Sequence, residues 1–295
     1  MDLSIILINY NTANFSLNCV ESLLKYRSKI LFFEIIVVDN NSKNEDYKIL
    51  AQGLKKNPQV ILHKSPINTG FGGGNMLGAK YAKGNYLLFI NNDVLLKNDA
   101  LSVAHDFMES NPNVGICTAQ NFDEYNNFVP SFDHDKGLRK LIFGRGFLEK
   151  LNPNKYPKRN KKYQKPISVN FVNGAFMFFR KSCFEEVGGF DPNIFLYFEE
   201  MDICYRLRQK GYKSVLLPHA EITHFQGAST GQSKLLQKEG FISYLYVLKK
   251  NYSWVKYFCI VSYYVLTFLF KPNKWSLLPI AIRGGHLSSS LKNQH

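Results

Sequence analysis

Three short apolar runs in the first third of the chain each stop on polar residues. "SIILI" ends on Asn9-Tyr10-Asn11, "EIIVV" on Asp39-Asn40-Asn41-Ser42, and "YLLFI" on Asn91-Asn92-Asp93. Unbroken runs of this length predict strands covered on both faces, as in a parallel sheet. The segments between them carry helical spacing. "TANFSLNCVESLLKYR" aligns Phe15, Cys19, Leu23 and Tyr26, and "EDYKILAQGLKK" aligns Tyr47, Leu50 and Leu54. Strand-helix-strand alternation predicts an α/β doubly wound sheet whose ligand crevice lies beyond the carboxyl ends of its strands. All three polar endings then face one crevice. Taken alone, Asn91-Asn92-Asp93 reads as a strand-ending turn; its place in this series makes it a candidate site.

The pattern fades over residues 121–170, a polar stretch rich in Pro, Lys and Asn that reads as a variable insertion or long loop. It returns in "VNFVNGAFMFFRK", which predicts a strand pair or hairpin around Asn173-Gly174. In "GGFDPNIFLYFEEMDICYRLRQKGYKSVLLP", Met201, Cys204, Tyr205 and Leu207 mark a helix that ends at Gly211, before a strand over residues 213–217. After Gly240 the chain reads as helical and strongly aromatic.

Charge adds an anionic partner to this picture. The 295 residues hold 37 Lys+Arg against 23 Asp+Glu, a formal net charge of +14. Such an excess suits a nucleotide, a nucleic acid or an acidic membrane face, although a basic run such as "KYPKRNKKYQK" is most often a solvated loop. No basic-aromatic platform motif accompanies it, so nucleic acid is set aside. Five dispersed cysteines without CxxC or CxxH spacing argue against a disulfide framework or a structural zinc. The start of the sequence, without a basic leader, is read as lacking a signal peptide, and the expected compartment is the cytoplasm.

Candidate chemistry sits in three places. The glycine cluster "NTGFGGGNMLGAKYAKG" lacks the third glycine of a dinucleotide fingerprint and the Lys-Ser/Thr of a P-loop. What remains is a flexible backbone entering a helix and offering N–H donors to an anion, or a turn with a tightly packed helix. Glu199, Glu200 and Asp202 cluster at a helix start, where the dipole favours negative charge; they serve as caps or supply a general base. His224, in "ITHFQGAS", becomes a metal ligand if it converges with a carboxylate such as Asp93.

In this order the segments resemble family 2 glycosyltransferases with the GT-A fold, most of all the bacterial rhamnosyltransferase-like branch. The motifs are "SIILINYN", "IIVVDNNS", "NTGFGGGNMLGAKYAKGNYLLFINNDV", "NGAFMFFRK", "GGFDPNIFLYFEEMDICYRLRQKGYK" and "HFQGAS". The likeness spans about residues 3–229. It implies a GT-A domain over 1–230, with a nucleotide-sugar-binding half at 1–117 and an acceptor half at 118–230, then a helical region over 231–295. It also implies site roles. Asp39, beside Asn9, Tyr10 and Asn11, recognises the base. Asn68, Gly70 and Asn75 lie near nucleotide and donor. Asn91-Asn92-Asp93 stands at the DXD position, with Asp93 and His224 as ligands of Mg²⁺ or Mn²⁺. Asn173, Gly174 and Ala175 line the acceptor and donor-sugar pocket. Glu200 is the catalytic base, with Glu199 and Asp202 as fallbacks.

Two positions depart from the family: Asn91 replaces the first acid of DXD, and Glu200 stands where Asp is usual. The implied reaction inverts configuration, moving a sugar from a nucleoside diphosphate to a glycan or lipid-linked acceptor of a surface polysaccharide. A nucleotidyltransferase or a non-catalytic sugar-binding module are the alternatives. The aromatic segment 252–270, flanked by Lys249, Lys250, Lys271 and Lys274, suits a helix lying in an anionic membrane interface at the inner face of the cell membrane. The same segment also suits packing on the catalytic domain, a homodimer contact or a membrane span.

Overall fold

The computed structural model describes residues 1–26, 31–225 and 233–294. Its first third alternates as expected: β1 (Leu3–Asn9), α1 (Ala13–Lys25), β2 (Phe33–Asp39), α2 (Asn44–Leu54), β3 (Val60–Lys64), α3 (Gly70–Tyr81) and β4 (Tyr86–Ile90). Then come β5 (Val94–Leu96), α4 (Ala100–Ser110), β6 (Val114–Phe122), β7 (Phe128–Val129), β8 (Phe132–Asp133), α5 (Leu138–Leu151), β9 (Ile167–Val169) and β10 (Phe171–Val172). The remainder is β11 (Phe176–Arg180), α6 (Lys181–Glu186), α7 (Glu199–Gln209), β12 (Lys213–His224), α8 (Lys234–Asn251), α9 (Trp254–Leu269) and α10 (Leu278–Ile282).

The main path of the central sheet runs β3-β2-β1-β4-β11-β6-β12-β5. Strands β1 to β4 are mutually parallel, and β11 runs antiparallel between β4 and β6. The unbroken apolar runs arise because side chains alternate between two cores. Ile5, Leu7, Ile35, Val37, Leu88 and Ile90 face α1, α2 and α4. Ile6, Ile36, Val38, Leu87 and Phe89 face the opposite layer, which includes α6, α7 and α8. Because β2 and β4 lie on opposite sides of β1, the chain reverses direction across the sheet there, and a crevice opens beyond the carboxyl ends of β1 and β4. Register pairs Asn9 with Asp39 and Leu7 with Ile90, so the three polar endings do share that edge.

Four sequence readings change. Strand β3 escaped the pattern because its residues are only half-buried. The 121–170 stretch is no plain loop: it holds β7, β8, β9 and α5, whose apolar pattern is broken by a kink at Gly144 (φ 72°). The "VNFVNGAFMFFRK" segment is not a hairpin, since β10 pairs with β8 while β11 enters the main sheet. Strand β12 runs on to His224 through a bulge between Leu217 and Glu221, where Pro218 hid its continuity. The C-terminal helices join the main core: Leu245, Val247 and Leu248 of α8 are fully buried, each contributing about 1.5–3 kcal/mol. All five cysteines are free thiols.

Candidate active site

At the β1–β2 edge the polar endings are laced together. Asn9 Nδ2 donates to Asp39 (3.0 Å), Ser42 Oγ (3.0 Å) and Asp46 (2.8 Å), and Asn9 Oδ1 accepts from Ser16. Asp39 also accepts from the Ser42 backbone N–H. Asn11, in the left-handed region at φ 57°, accepts from the Lys43 N–H, leaving Tyr10 exposed at the rim. Asn40, which carried no assigned role, holds the next loop. Its Nδ2 donates to Asn68 Oδ1 and Gly70 O, both at 3.0 Å, while its Oδ1 accepts from Thr69 N–H and hydroxyl. A Cβ on Gly70 (φ +73°) would lie 2.0 Å from the Phe195 carbonyl, so only glycine fits this approach. The other glycines here are mostly helical. Gly74 and Gly78 let α3 press onto Ile8 and Ile6, so the tightly packed helix accounts for much of the cluster.

Around β4 the structure separates the three polar residues. Asn92 is buried, and its Nδ2 donates to Thr12 (2.7 Å) and Ser16 (2.9 Å), so it pins the start of α1 rather than entering the crevice. Asp93 meets His224, with Oδ1 3.3 Å from Nε2, because β12 pairs with β5 and sets His224 opposite Val94. Asn91 Nδ2 lies 3.4 Å from the same His224 nitrogen. The Asn91 backbone N–H donates to Ala175 O, which lays the 173–175 segment across the end of β4. Asn173 Nδ2 is spent on Pro130 O, while the space above Gly174 is open apart from Phe71.

Several buried polar atoms at this edge have no protein hydrogen-bond partner: both amide atoms of Asn75 and of Asn121, Oδ1 of Asn91 and Nδ1 of His224. Each such group costs about 1–3 kcal/mol if left unsatisfied, so ligand or water is needed to complete the bonding. Asn121, the penultimate residue of β6, was missed because one Asn inside the apolar-polar "CTAQNF" carries no signal of its own.

Helix α7 carries the acids. Tyr197 and Phe198 precede it at φ 70° and 68°, a left-handed pair of bulky residues of the kind that concentrates strain at functional sites. Glu199 is buried, with Oε2 lacking a hydrogen-bond partner. Burial, then the neighbouring Glu200 charge, raises its carboxyl well above the usual range. Glu200 is half-buried and lines a cavity of about 400 Å³ with Lys136, Tyr197, Phe198, Ser233 and Gln237. Its carboxyl is also raised, by burial first, while its own N–H and Lys136 pull it back. Of the two, Glu200 is the carboxylate that lines the cavity. Lys136 was missed because it falls in the stretch read as loop.

Asp202 does not join them. It is fully buried and ion-paired to Arg206 (2.7 Å) and Lys250 (3.1 Å), with a hydrogen bond from Asn251. Its role is to tie α7 to α8. Asp202→Asn is expected to lower stability by about 3 kcal/mol, because it strands two cations at a buried pair. Thermal denaturation measures this, and an unchanged midpoint would refute the structural role.

With this geometry in view, comparison with known proteins places the chain. The description "Glycosyl transferase family 2" matches residues 4–188. The chain belongs to glycosyl transferase family 2. It is 28% identical over 205 residues to the rhamnosyltransferase WbbL of Escherichia coli, covering 63% of this chain and 75% of that one. It is 31% identical over 108 residues to an N-acetylglucosaminyl-diphospho-decaprenol L-rhamnosyltransferase of Mycobacterium tuberculosis, covering 36% of this chain and 32% of the relative. The fold is that of GT-A glycosyltransferases. The Pyrobaculum calidifontis mannosyltransferase PcManGT, solved with GDP-Man and Mn²⁺, superposes with a TM-score of 0.60 at 13% identity, over 96% of this chain and 73% of its own. Staphylococcus aureus TarS gives 0.56 at 15% identity, over 84% and 65%. The "HFQGAS" motif beyond Phe225 lies outside the described residues.

Proposed function

We propose that this glycosyltransferase is an inverting, divalent-metal-dependent enzyme. It transfers a sugar from a nucleoside-diphosphate donor to a lipid-linked glycan acceptor of a surface polysaccharide. The observation that carries the reading is the convergence of Asp93 with His224 at the sheet edge, beside Asn91, whose Oδ1 has no protein partner. In this reading residues 1–117 bind the donor, 118–230 complete the acceptor side, and 231–295 form the helical appendage. Asp39 and the exposed Tyr10 recognise the base, and Asn68, Gly70 and Asn75 border the donor. The orphaned Asn91 Oδ1 and His224 Nδ1 beside Asp93 make this corner suitable for Mg²⁺ or Mn²⁺. Among the described residues no three His, Cys, Asp or Glu surround one point, so substrate oxygens and water would have to complete the shell of an ion held by Asp93 and His224. When bound there, it would supply positive charge against the departing diphosphate. Glu200 takes the proton of the acceptor hydroxyl as its oxygen bonds to the anomeric carbon, and the bond to the diphosphate breaks on the opposite face.

The test is a hydrolysis screen of nucleotide sugars with and without Mn²⁺. One donor is expected to release nucleoside diphosphate only with metal. Silence from every donor, joined to metal-independent nucleotide binding, would favour a binding module instead.

Contact with an anionic membrane belongs to the same reading. Residues 240–295 hold seven Lys or Arg and no Asp or Glu. On α9, Trp254, Phe258 and Leu266 are more than half exposed; Phe270, the residue after it, is 84% exposed. Helix α5, which packs against α9, adds exposed Ile142, Phe143, Phe147 and Leu151. No described helix is long and apolar enough to cross a membrane, so the surface would lie along the headgroups. Co-sedimentation with phosphatidylglycerol vesicles is expected, weakened by salt and by Trp254→Ala with Phe270→Ala. A concentration-dependent dimer that ignores vesicles would replace the membrane with a second copy.

A further inference from the structure

The cavity beside Glu200 contains a cation that nothing in the proposed reaction uses. Lys136 stands in the short link between β8 and α5, its carbonyl held by the Tyr244 hydroxyl of α8 at 2.6 Å. Its ammonium lies 4.4 Å from the centre of the Phe198 ring, on the cavity wall. Acids in its own neighbourhood are matched to other cations. Asp133 pairs with Lys140 at 2.8 Å, Asp135 with Arg208 at 2.7 Å, and Glu149 with His134 at 3.2 Å. Among the described residues, no carboxylate forms an ion pair with Lys136. Asp133, and then Glu200 from the same cavity, attract it without ion-pair contact, while Lys140 and Arg159 add positive potential.

A partly buried ammonium without an anion is costly, and the cost is recovered when an anion enters. Burial lowers the Lys136 pKa, in keeping with that deficit. The cavity thus offers two demands on one wall: a carboxylate that takes a hydroxyl proton and a cation in ion-pair contact with no described carboxylate. Tyr197 and Phe198 supply apolar walls for a sugar ring between them.

We propose that this pocket selects an acceptor sugar bearing a phosphoester, and that Lys136 binds its phosphate while the sugar hydroxyl faces Glu200. This rests on reading the Glu200 cavity as the acceptor site, and it adds that the acceptor's anionic group, rather than its glycan alone, is recognised.

The test is equilibrium binding of alkyl diphospho-hexosamines against the matching neutral alkyl glycosides, without donor. The wild-type chain is expected to favour the phosphorylated ligand about ten-fold or more, as for a charge-assisted hydrogen bond. Lys136→Met should abolish that preference, and Lys136→Arg should restore most of it. Retained nucleotide binding by Lys136→Met reports a folded chain. No preference in the wild type, or a preference that survives Lys136→Met, overturns the proposal. So does a preference lost in Asp93→Asn but kept in Lys136→Met, which would put the phosphate at the Asp93 corner. Binding needs no turnover, so a failed donor screen with the preference intact would sink the transferase mechanism alone.

Discussion

Glu200→Gln is expected to lower sugar transfer by about 10²–10⁴-fold, the usual contribution of a positioned general base, while nucleotide-sugar binding stays within a factor of about two. The amide keeps the shape of the side chain and its place in the cavity but cannot accept the acceptor's proton. Stability separates this from a folding defect. Both Glu199 and Glu200 have carboxyls raised in the folded chain. Such groups contribute stability that is full below the unfolded carboxylate pKa and is lost as pH rises through the folded values. At neutral pH the pair therefore opposes folding, and removing the Glu200 charge relieves Glu199. The variant should melt no lower than the wild type, as expected where activity is held at the expense of stability. The same raised carboxyl sets the pH profile: the base works deprotonated, so kcat/KM should fall with acid at a pH above the ordinary Glu range. Transfer that survives within ten-fold of the wild type would remove Glu200 from the mechanism.

Asp93→Asn is expected to reduce turnover by about 10²–10³-fold, within the several kcal/mol that a metal contributes to charge stabilisation. Nucleotide binding should also lose its dependence on Mn²⁺. Asp93 is the one acid of the Asn91-Asn92-Asp93 ending, and Asn92 is committed to Thr12 and Ser16. The loss should therefore not be shared by neighbours. Asn91→Asp supplies a second acid beside His224 and should tighten Mn²⁺ binding. Titration calorimetry with nucleoside diphosphate and Mn²⁺ reads both variants; unaltered metal dependence in Asp93→Asn would place the ion elsewhere.

Strand runs, their polar endings and the shared crevice were determined by the sequence itself. Alternation along Ile5, Ile6 and Leu7 is a local property of an extended chain, and the rule that parallel strands present their carboxyl ends together needs no knowledge of side-chain partners. The acid-rich start of α7 was legible for the same reason. Only the tertiary structure decided which polar residues converge at that edge. Asp93 and His224 are 131 positions apart and meet through the β5–β12 register beyond the β12 bulge. Asn92 and Asp202 look equivalent to Asn91 and Glu200 in the sequence, yet packing turned them onto Ser16 and onto Arg206 with Lys250. Lys136 had no signal in a polar stretch until the packing around α8 put it on the wall with Glu200. A side chain's neighbours across long sequence separations depend on register, bulges and helix packing, and no local pattern encodes those.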